Sequence, residues 1–228
     1  MKILVTSGGT SEAIDRVRSI TNHSTGRLGL VITEALIKAG HEVCLITTSQ
    51  AVRPASQPNL KIIEIKNTLD LLEEMRNLVK DYQVLIHSMA VSDYTPVYMT
   101  SIDEVKASQD LSEFLTKHNT ETKISSKEEA QILFLKKNPK IISLVKEWNP
   151  KIHLIGFKLL VDVSREYLIQ IARESLEKNK ADIIVANDLT QINAEQHIAY
   201  LVEKSSFQTA TSKQEIADLL LNKIQSYE

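Results

Sequence analysis

Short apolar runs alternate along the chain with longer stretches whose apolar residues recur at helical spacing. Residues 2–7 (KILVTS) form a compact apolar run that stops at Gly8-Gly9, which predicts a buried strand. Residues 27–39 place Leu28, Val31, Ile32, Ala35 and Leu36 on one helical face, and Gly40 supplies the stop. Strands are expected at 42–48 and 60–66, then a helix at 68–81 with Leu69, Leu71, Leu72, Met75 and Leu78 on its apolar side. A fourth strand follows at 83–91 (QVLIHSMAV). Strands separated by helices predict βαβ units around a parallel sheet.

The second half is patterned differently. Residues 92–126 are polar and poorly periodic, with a short helix expected near 109–118. Pro139 suits the first position of a helix over 139–148. A strand at 153–159, a helix at 164–179 opened by Ser164, and a strand at 181–187 follow. Residues 196–209 alternate around Lys204-Ser205-Ser206 and predict a hairpin. Ser212, with Glu215 three residues on, reads as the capping box of a last helix over 212–227. Two connections are long: about 18 residues lie between the first strand and its helix, and about 35 between Val91 and Glu128. Connections in compact α/β units usually run about 2–6 residues, and long ones tend to be functional or disordered. Both leave the C-terminal ends of parallel strands, the edge where open α/β sheets bind ligands.

Composition narrows the classes. The 228 residues show no repeat or linker, so one domain over 1–228 is expected, with 92–126 as an insertion. A net charge of −2 leaves no basic footprint for nucleic acid. No apolar run approaches the roughly 18 residues of a membrane span, and the N-terminus lacks the features of a signal peptide. The lone Cys44 excludes an internal disulfide and a zinc–cysteine cluster, and fits a reducing cytoplasm. Within an apolar strand it reads as a packed thiol. The six histidines show neither H-x-x-x-H nor H-E-x-x-H spacing, so no protein-built metal site is expected. Of six glycines, Gly8, Gly9, Gly26 and Gly29 fall in the first thirty residues, which points to where the chemistry sits.

That first loop reads SGGTSEAIDRVRSITNHSTGRLG. It contains neither G-x-G-x-x-G nor G-K-[ST], so neither standard phosphate loop is present. A Gly pair is followed by Asn22, Ser24, Thr25, Gly26 and Arg27 at a helix start, where N–H groups and the dipole favour an anion, although an ordinary cap reads the same way. Asp93, closing SMAVSD at a strand end, can bind a ribose, a base amine or Mg²⁺, or cap a turn. Lys123, in ETKISS, can offer a cation to a triphosphate or stay solvated. In IGFKL, Phe157 can flank a base and Lys158 can reach a phosphate, but on one strand they face opposite ways. Asn187-Asp188 can orient a ligand or start a turn.

Taken in order, TSGGTSEAIDRVRSITNHSTGRLG, SMAVSDY, the Lys123-Ile124 pair, NPKII, GFK and VAND resemble the phosphopantothenate–cysteine ligases of coenzyme A biosynthesis over roughly residues 1–225. The resemblance implies a modified Rossmann-like α/β fold: a mostly parallel central sheet flanked by helices, with 92–126 as lid and dimer arm, assembled as a homodimer. It implies a ligase that activates 4′-phosphopantothenate as an acyl-nucleotidylate, releases pyrophosphate, and passes the acyl group to L-cysteine. CTP is the expected nucleotide, with ATP the alternative, and Mg²⁺ is required. Asn22 would hold the acyl-nucleotidylate, with Ser24, Thr25, Gly26, Arg27 and Asn187 at the substrate. Lys123 would neutralise the triphosphate. Gly8, Gly9, Thr10, Met89, Asp93, Pro139, Lys140, Ile141, Ile142, Phe157 and Lys158 would line the nucleotide. Departures bear on nucleotide choice: Lys123-Ile124-Ser125-Ser126 stands where many bacterial relatives have K-I-K-K, and Ser175 and Asn179 where they often have lysines. Met89, Ser125 and Leu160 also motivate a non-catalytic nucleotide-binding subunit. An NAD(P)-dependent oxidoreductase is the other competing reading, and it lacks its glycine fingerprint.

Overall fold

The computed structural model describes residues 1–120, 122–125 and 127–227. Ser126, the last residue of the Lys123-Ile124-Ser125-Ser126 stretch, lies outside the described residues. The strands are β1 Lys2–Thr6, β2 Ser11–Ala13, β3 Ser19–Thr21, β4 Glu42–Thr47, β5 Leu60–Glu64, β6 Val84–His87, β7 Tyr94–Ser101, β8 Gln131–Lys137, β9 His153–Leu160, β10 Ile183–Ile192, β11 His197–Val202 and β12 Phe207–Ala210. The helices are α1 Arg27–Lys38, α2 Thr68–Leu78, α3 Ile102–Ala107, α4 Ile141–Trp148, α5 Arg165–Asn179 and α6 Lys213–Gln225.

Among the described residues, eight strands form one sheet in the order β12-β11-β10-β9-β6-β1-β4-β5. β5 to β10 run parallel across it, and β11 and β12 close it as an antiparallel hairpin. The expected α/β architecture therefore holds. Strand alternation divides the core. Leu4, Cys44, Leu85 and Ile184 pack with α2, α4 and α5, while Ile3, Val5, Ile86 and Val185 pack with α1 and α6. Cys44 is buried, and burial pushes its thiol pKa up, as a packed thiol requires.

Helix ends follow local chemistry. Ser164 and Ser212 accept N–H bonds from Tyr167 and Glu215 as N-caps. The Glu215 carboxylate instead takes the N–H of Thr211, one residue before the cap, so the box does not close on Ser212. Pro139 is not the first helical residue: Lys140 is the N-cap and α4 starts at Ile141.

Three segments differ from the sequence reading. The first long connection contains the hairpin β2–β3. β6 ends at His87 rather than at 91, because residues 88–92 turn to bond with the loop after β1. The described part of 92–126 is not an irregular loop: β7 pairs antiparallel with β8, with α3 and a 3-10 turn at Leu111–Leu115 between them. The expected helix near 109–118 is that 3-10 turn. Phe114 is fully buried in this arm, its ring stacked on Tyr98 at 5.9 Å and on Phe134 at 4.7 Å.

Candidate functional site

β1 leads to β4 and β5 on one side, and β6 leads to β9 and β10 on the other. Between β1 and β6 the strand order reverses, and a crevice opens there beyond the carboxyl ends. The two strand-end turns are joined beneath it. Ala90 N–H donates to Gly8 O at 2.9 Å, Thr10 N–H to Ala90 O at 3.0 Å, and Ser92 N–H to Thr10 Oγ1 at 2.9 Å. Asn22, directly after β3, lays its amide on Ala90 O at 3.3 Å. Asn138 bonds Ser92 O and Asp93 O at 2.9 Å each, which draws the start of α4 to the same rim.

α1 comes close to β1 because Gly29 has no side chain: a Cβ there would lie 2.1 Å from Ser7 Oγ. Its N-cap is Gly26 at φ 77°, a conformation few other residues adopt, and no side chain caps the helix. The first N–H of α1, that of Arg27, donates to Thr25 Oγ1 at a long 3.5 Å, and this end of the helix lies on the cavity wall.

The cavity measures about 540 Å³. Its walls bring together Gly8, Asn22, Ser24, Thr25, Gly26, Arg27, Met89, Asp93, Pro139, Lys140, Ile141, Ile142, Phe157, Lys158 and Asn187. Gly9 and Thr10 do not line it; they tie together the two turns that do, through a bridge from Gly9 to Ala90 and the Thr10 hydroxyl, which accepts the Ser92 N–H. Lys123 lies outside the wall, exposed on a segment tied to the tip of β2–β3. Phe157 faces α1 and α6, and strand alternation turns Lys158 to the other side of the sheet. Asn187 and Asp188 divide in the same way. Asn187 faces the cavity, while Asp188, still within β10, accepts N–H bonds from Asp162 at 3.1 Å and Val163 at 2.8 Å and so holds the bend after β9 rather than starting a turn. Those bonds and Thr190 hold its carboxyl well below the usual range.

His87, His197 and Lys213 also line the wall, although the sequence reading gave none of them a role. His87 is buried at the end of β6 with Nδ1 2.7 Å from Thr6 Oγ1, and burial lowers its pKa to about 4, so it is neutral at pH 7. His197 is also pushed down to about 4, first by burial and then by Lys213, and stands 3.2 Å from the Asn187 amide. His197 arrives from the antiparallel hairpin and Lys213 from the start of α6, which only the closed sheet brings to this edge. Asn179 and Ser175 line the opposite flank, bonded to each other at 3.2 Å.

Among the described wall residues, Asp93 is the single carboxylate, against Arg27, Lys140, Lys158 and Lys213. Lys140 Nζ meets Asp93 Oδ1 at 3.0 Å, both well exposed at the rim. Such a wall suits a polyanion. One carboxylate is also enough for Mg²⁺, which typically takes one or two protein carboxylates and completes its shell with substrate phosphates and water. Among the described residues no three His, Cys, Asp or Glu side chains converge as a metal site of their own. No helix among them is long and apolar enough to cross a membrane.

Comparison with known proteins places this geometry. Residues 1–112 and 98–227 match the model of the DNA/pantothenate metabolism flavoprotein C-terminal domain. The chain is 32% identical over 227 residues to the coenzyme A biosynthesis bifunctional protein CoaBC of Thermococcus kodakarensis, covering 98% of this chain and 51% of that protein. It thus spans about half the length of the curated relatives it matches. The crystal structure of the DNA/pantothenate metabolism flavoprotein from Streptococcus pneumoniae superposes with a TM-score of 0.96 at 70% identity, covering 100% of both chains. The C-terminal domain of a CoaBC protein superposes with a TM-score of 0.72 at 25% identity, over 99% of this chain and 94% of that one.

Proposed function

The chain belongs to the DNA/pantothenate metabolism flavoprotein C-terminal domain family, and from that membership we propose that it is a phosphopantothenate–cysteine ligase. It joins 4′-phosphopantothenate to L-cysteine in coenzyme A biosynthesis, in the cytoplasm, through an acyl-nucleotidylate, with CTP as the favoured nucleotide and ATP as the alternative. The observation that carries this reading is the switch-point cavity, whose wall sets Asn22 and four cationic side chains around a single carboxylate.

The substrate carboxylate attacks the α-phosphorus. A new P–O bond forms as the bond to the bridging oxygen breaks, and pyrophosphate leaves. The cysteine amine then attacks the acyl carbon, loses a proton, and expels the nucleoside monophosphate. Such activation needs positioning and charge neutralisation rather than a protein nucleophile, which accords with the buried, inert Cys44. Asn22 would hold the acyl phosphate, beside the start of α1. Arg27, Lys140 and Lys158 offset the phosphate charge, and Lys123 adds to it from its loop. Backbone at Pro139, Lys140, Ile141 and Ile142, with Met89 and Phe157, lines the base. Asp93 would hold Mg²⁺ or the ribose; when bound, the ion offsets charge on the triphosphate. The β7–β8 arm would pair two subunits, a role supported by exposed Tyr94, Leu111, Leu115 and Leu135.

Pyrophosphate release with 4′-phosphopantothenate, cysteine and Mg²⁺, compared between CTP and ATP, tests the reading. Release that requires phosphopantothenate is expected, and the ratio of rates sets the nucleotide. A folded protein that binds a nucleotide yet releases no pyrophosphate would be the non-catalytic subunit instead.

A further inference from the structure

The loop that carries Lys123 is gripped from outside the cavity. At the tip of β2–β3, Asp15 Oδ1 accepts the N–H groups of Val17 and Arg18 at 2.8 and 2.7 Å. Asp15 Oδ2 accepts the Arg18 guanidinium through Nε at 3.0 Å and Nη2 at 2.6 Å. The same oxygen accepts the N–H of Ile124 at 3.2 Å, and Arg18 Nη2 donates to the Ile124 carbonyl at 3.1 Å. Both backbone groups of Ile124 are thus held by one ion pair from a segment more than a hundred residues away. Arg16 N–H takes the Thr122 carbonyl at 3.2 Å, so the chain is fixed on either side of Lys123. The Ile124 side chain is buried, and the Asp15 side chain is 1% exposed. Arg18 then leads through β3 to Asn22. An extended strand rises about 3.3 Å per residue, so the clamp lies within roughly 13 Å of chain from Asn22.

We propose that Asp15 and Arg18 are positioning residues that set the Lys123 loop relative to the cavity by clamping the Ile124 peptide. The task given to Lys123 rests on the ligase reading; the clamp itself does not. Two charge-assisted bonds from the Arg18 guanidinium to Asp15 Oδ2, with two backbone N–H bonds on Oδ1, fix the orientation of the pair, which an exposed loop cannot do alone. The pair therefore couples the hairpin that delivers Asn22 to the loop that delivers Lys123.

The test has one arm that reads no activity. In the whole protein, trypsin should cut the Lys123–Ile124 bond slowly. At a temperature where each variant remains folded, Arg18→Gln and Asp15→Asn should each speed cleavage at that bond by about tenfold relative to other tryptic sites, since proteolysis tracks local opening. Unchanged cleavage there in both variants overturns the clamp. The second arm is kinetic. Lys123→Ala should slow phosphopantothenate-dependent pyrophosphate release by about a hundredfold, as loss of a charge-stabilising group does. Arg18→Gln should slow it about tenfold through misplacement, with little change in KM for cysteine. The double variant should be no slower than Lys123→Ala, and Arg18→Lys should recover part of the loss. Independent, multiplying losses would overturn the positioning role. A wild type without pyrophosphate release would instead sink the ligase reading and leave the trypsin result standing.

Discussion

Asn22 is the residue on which both site geometry and proposed chemistry converge. Its amide rests on Ala90 O at the junction of the two strand-end turns. Asn22→Asp keeps the shape but places a negative charge beside the acyl phosphate. Amide formation should slow by about a hundredfold or more, with a smaller loss of nucleotide affinity; single-turnover kinetics alongside nucleotide titration separates the two. An aspartate variant with full turnover would remove Asn22 from the reaction. At this scale much was legible: Gly26, Arg27, Asp93 and Asn187 all reach the cavity. What misled was side-chain direction. Thr10 and Gly9 sit in the glycine loop yet do not line the cavity, and Asp188 turns away from its neighbour Asn187 because strand residues alternate. His197 and Lys213 gave no signal, since each owes its place to a neighbour distant in sequence.

At the level of elements, the β7–β8 arm is where pattern failed. Pro96 lies in β7 beside a register shift, both faces of the strand are mostly half-buried, and its partner lies some thirty residues on. No period-2 signal survives such a setting, and the pairing is non-local. The arm holds a small core of its own around Phe114, between Tyr98 and Phe134. Phe114→Ala should therefore remove about 3 kcal/mol from the arm. Hydrogen exchange should show faster amides over 94–101 and 131–137 with the central sheet protected; loss of protection throughout would mean that the arm and sheet unfold as one. Glu12 ties the arm to the body by accepting from Thr95 Oγ1 at 2.7 Å and Thr68 N–H at 2.9 Å. By contrast α1, α5 and α6 lie where spacing and caps placed them, because their signals lie within a few residues of each other.

Across the whole molecule, stability should depend on pH through the two buried histidines. His87 and His197 titrate near 4 when folded and near 6.5 when unfolded. Between those values the unfolded chain binds more protons, so their contribution is complete above 6.5 and is lost as pH falls toward 4. His87 alone gives a slope of up to about 1.4 kcal/mol per pH unit. Asp15 and Asp188, held far below the usual carboxylate range, keep their stabilisation through that window. Denaturant melts from pH 7 to 4 should show the loss, and His87→Asn should reduce the slope; an unchanged slope would assign it elsewhere. The sequence by itself determined the βαβ order, the Ser164 and Ser212 N-caps and the glycine-rich first loop, because each depends on periodicity or on contacts between near neighbours. Only the tertiary structure decided that β1 and β6 lie side by side, that the hairpin tip clamps Ile124, and that His197 and Lys213 join the wall. Those contacts join residues far apart in sequence, and their energies come from burial and pairing that no local pattern records.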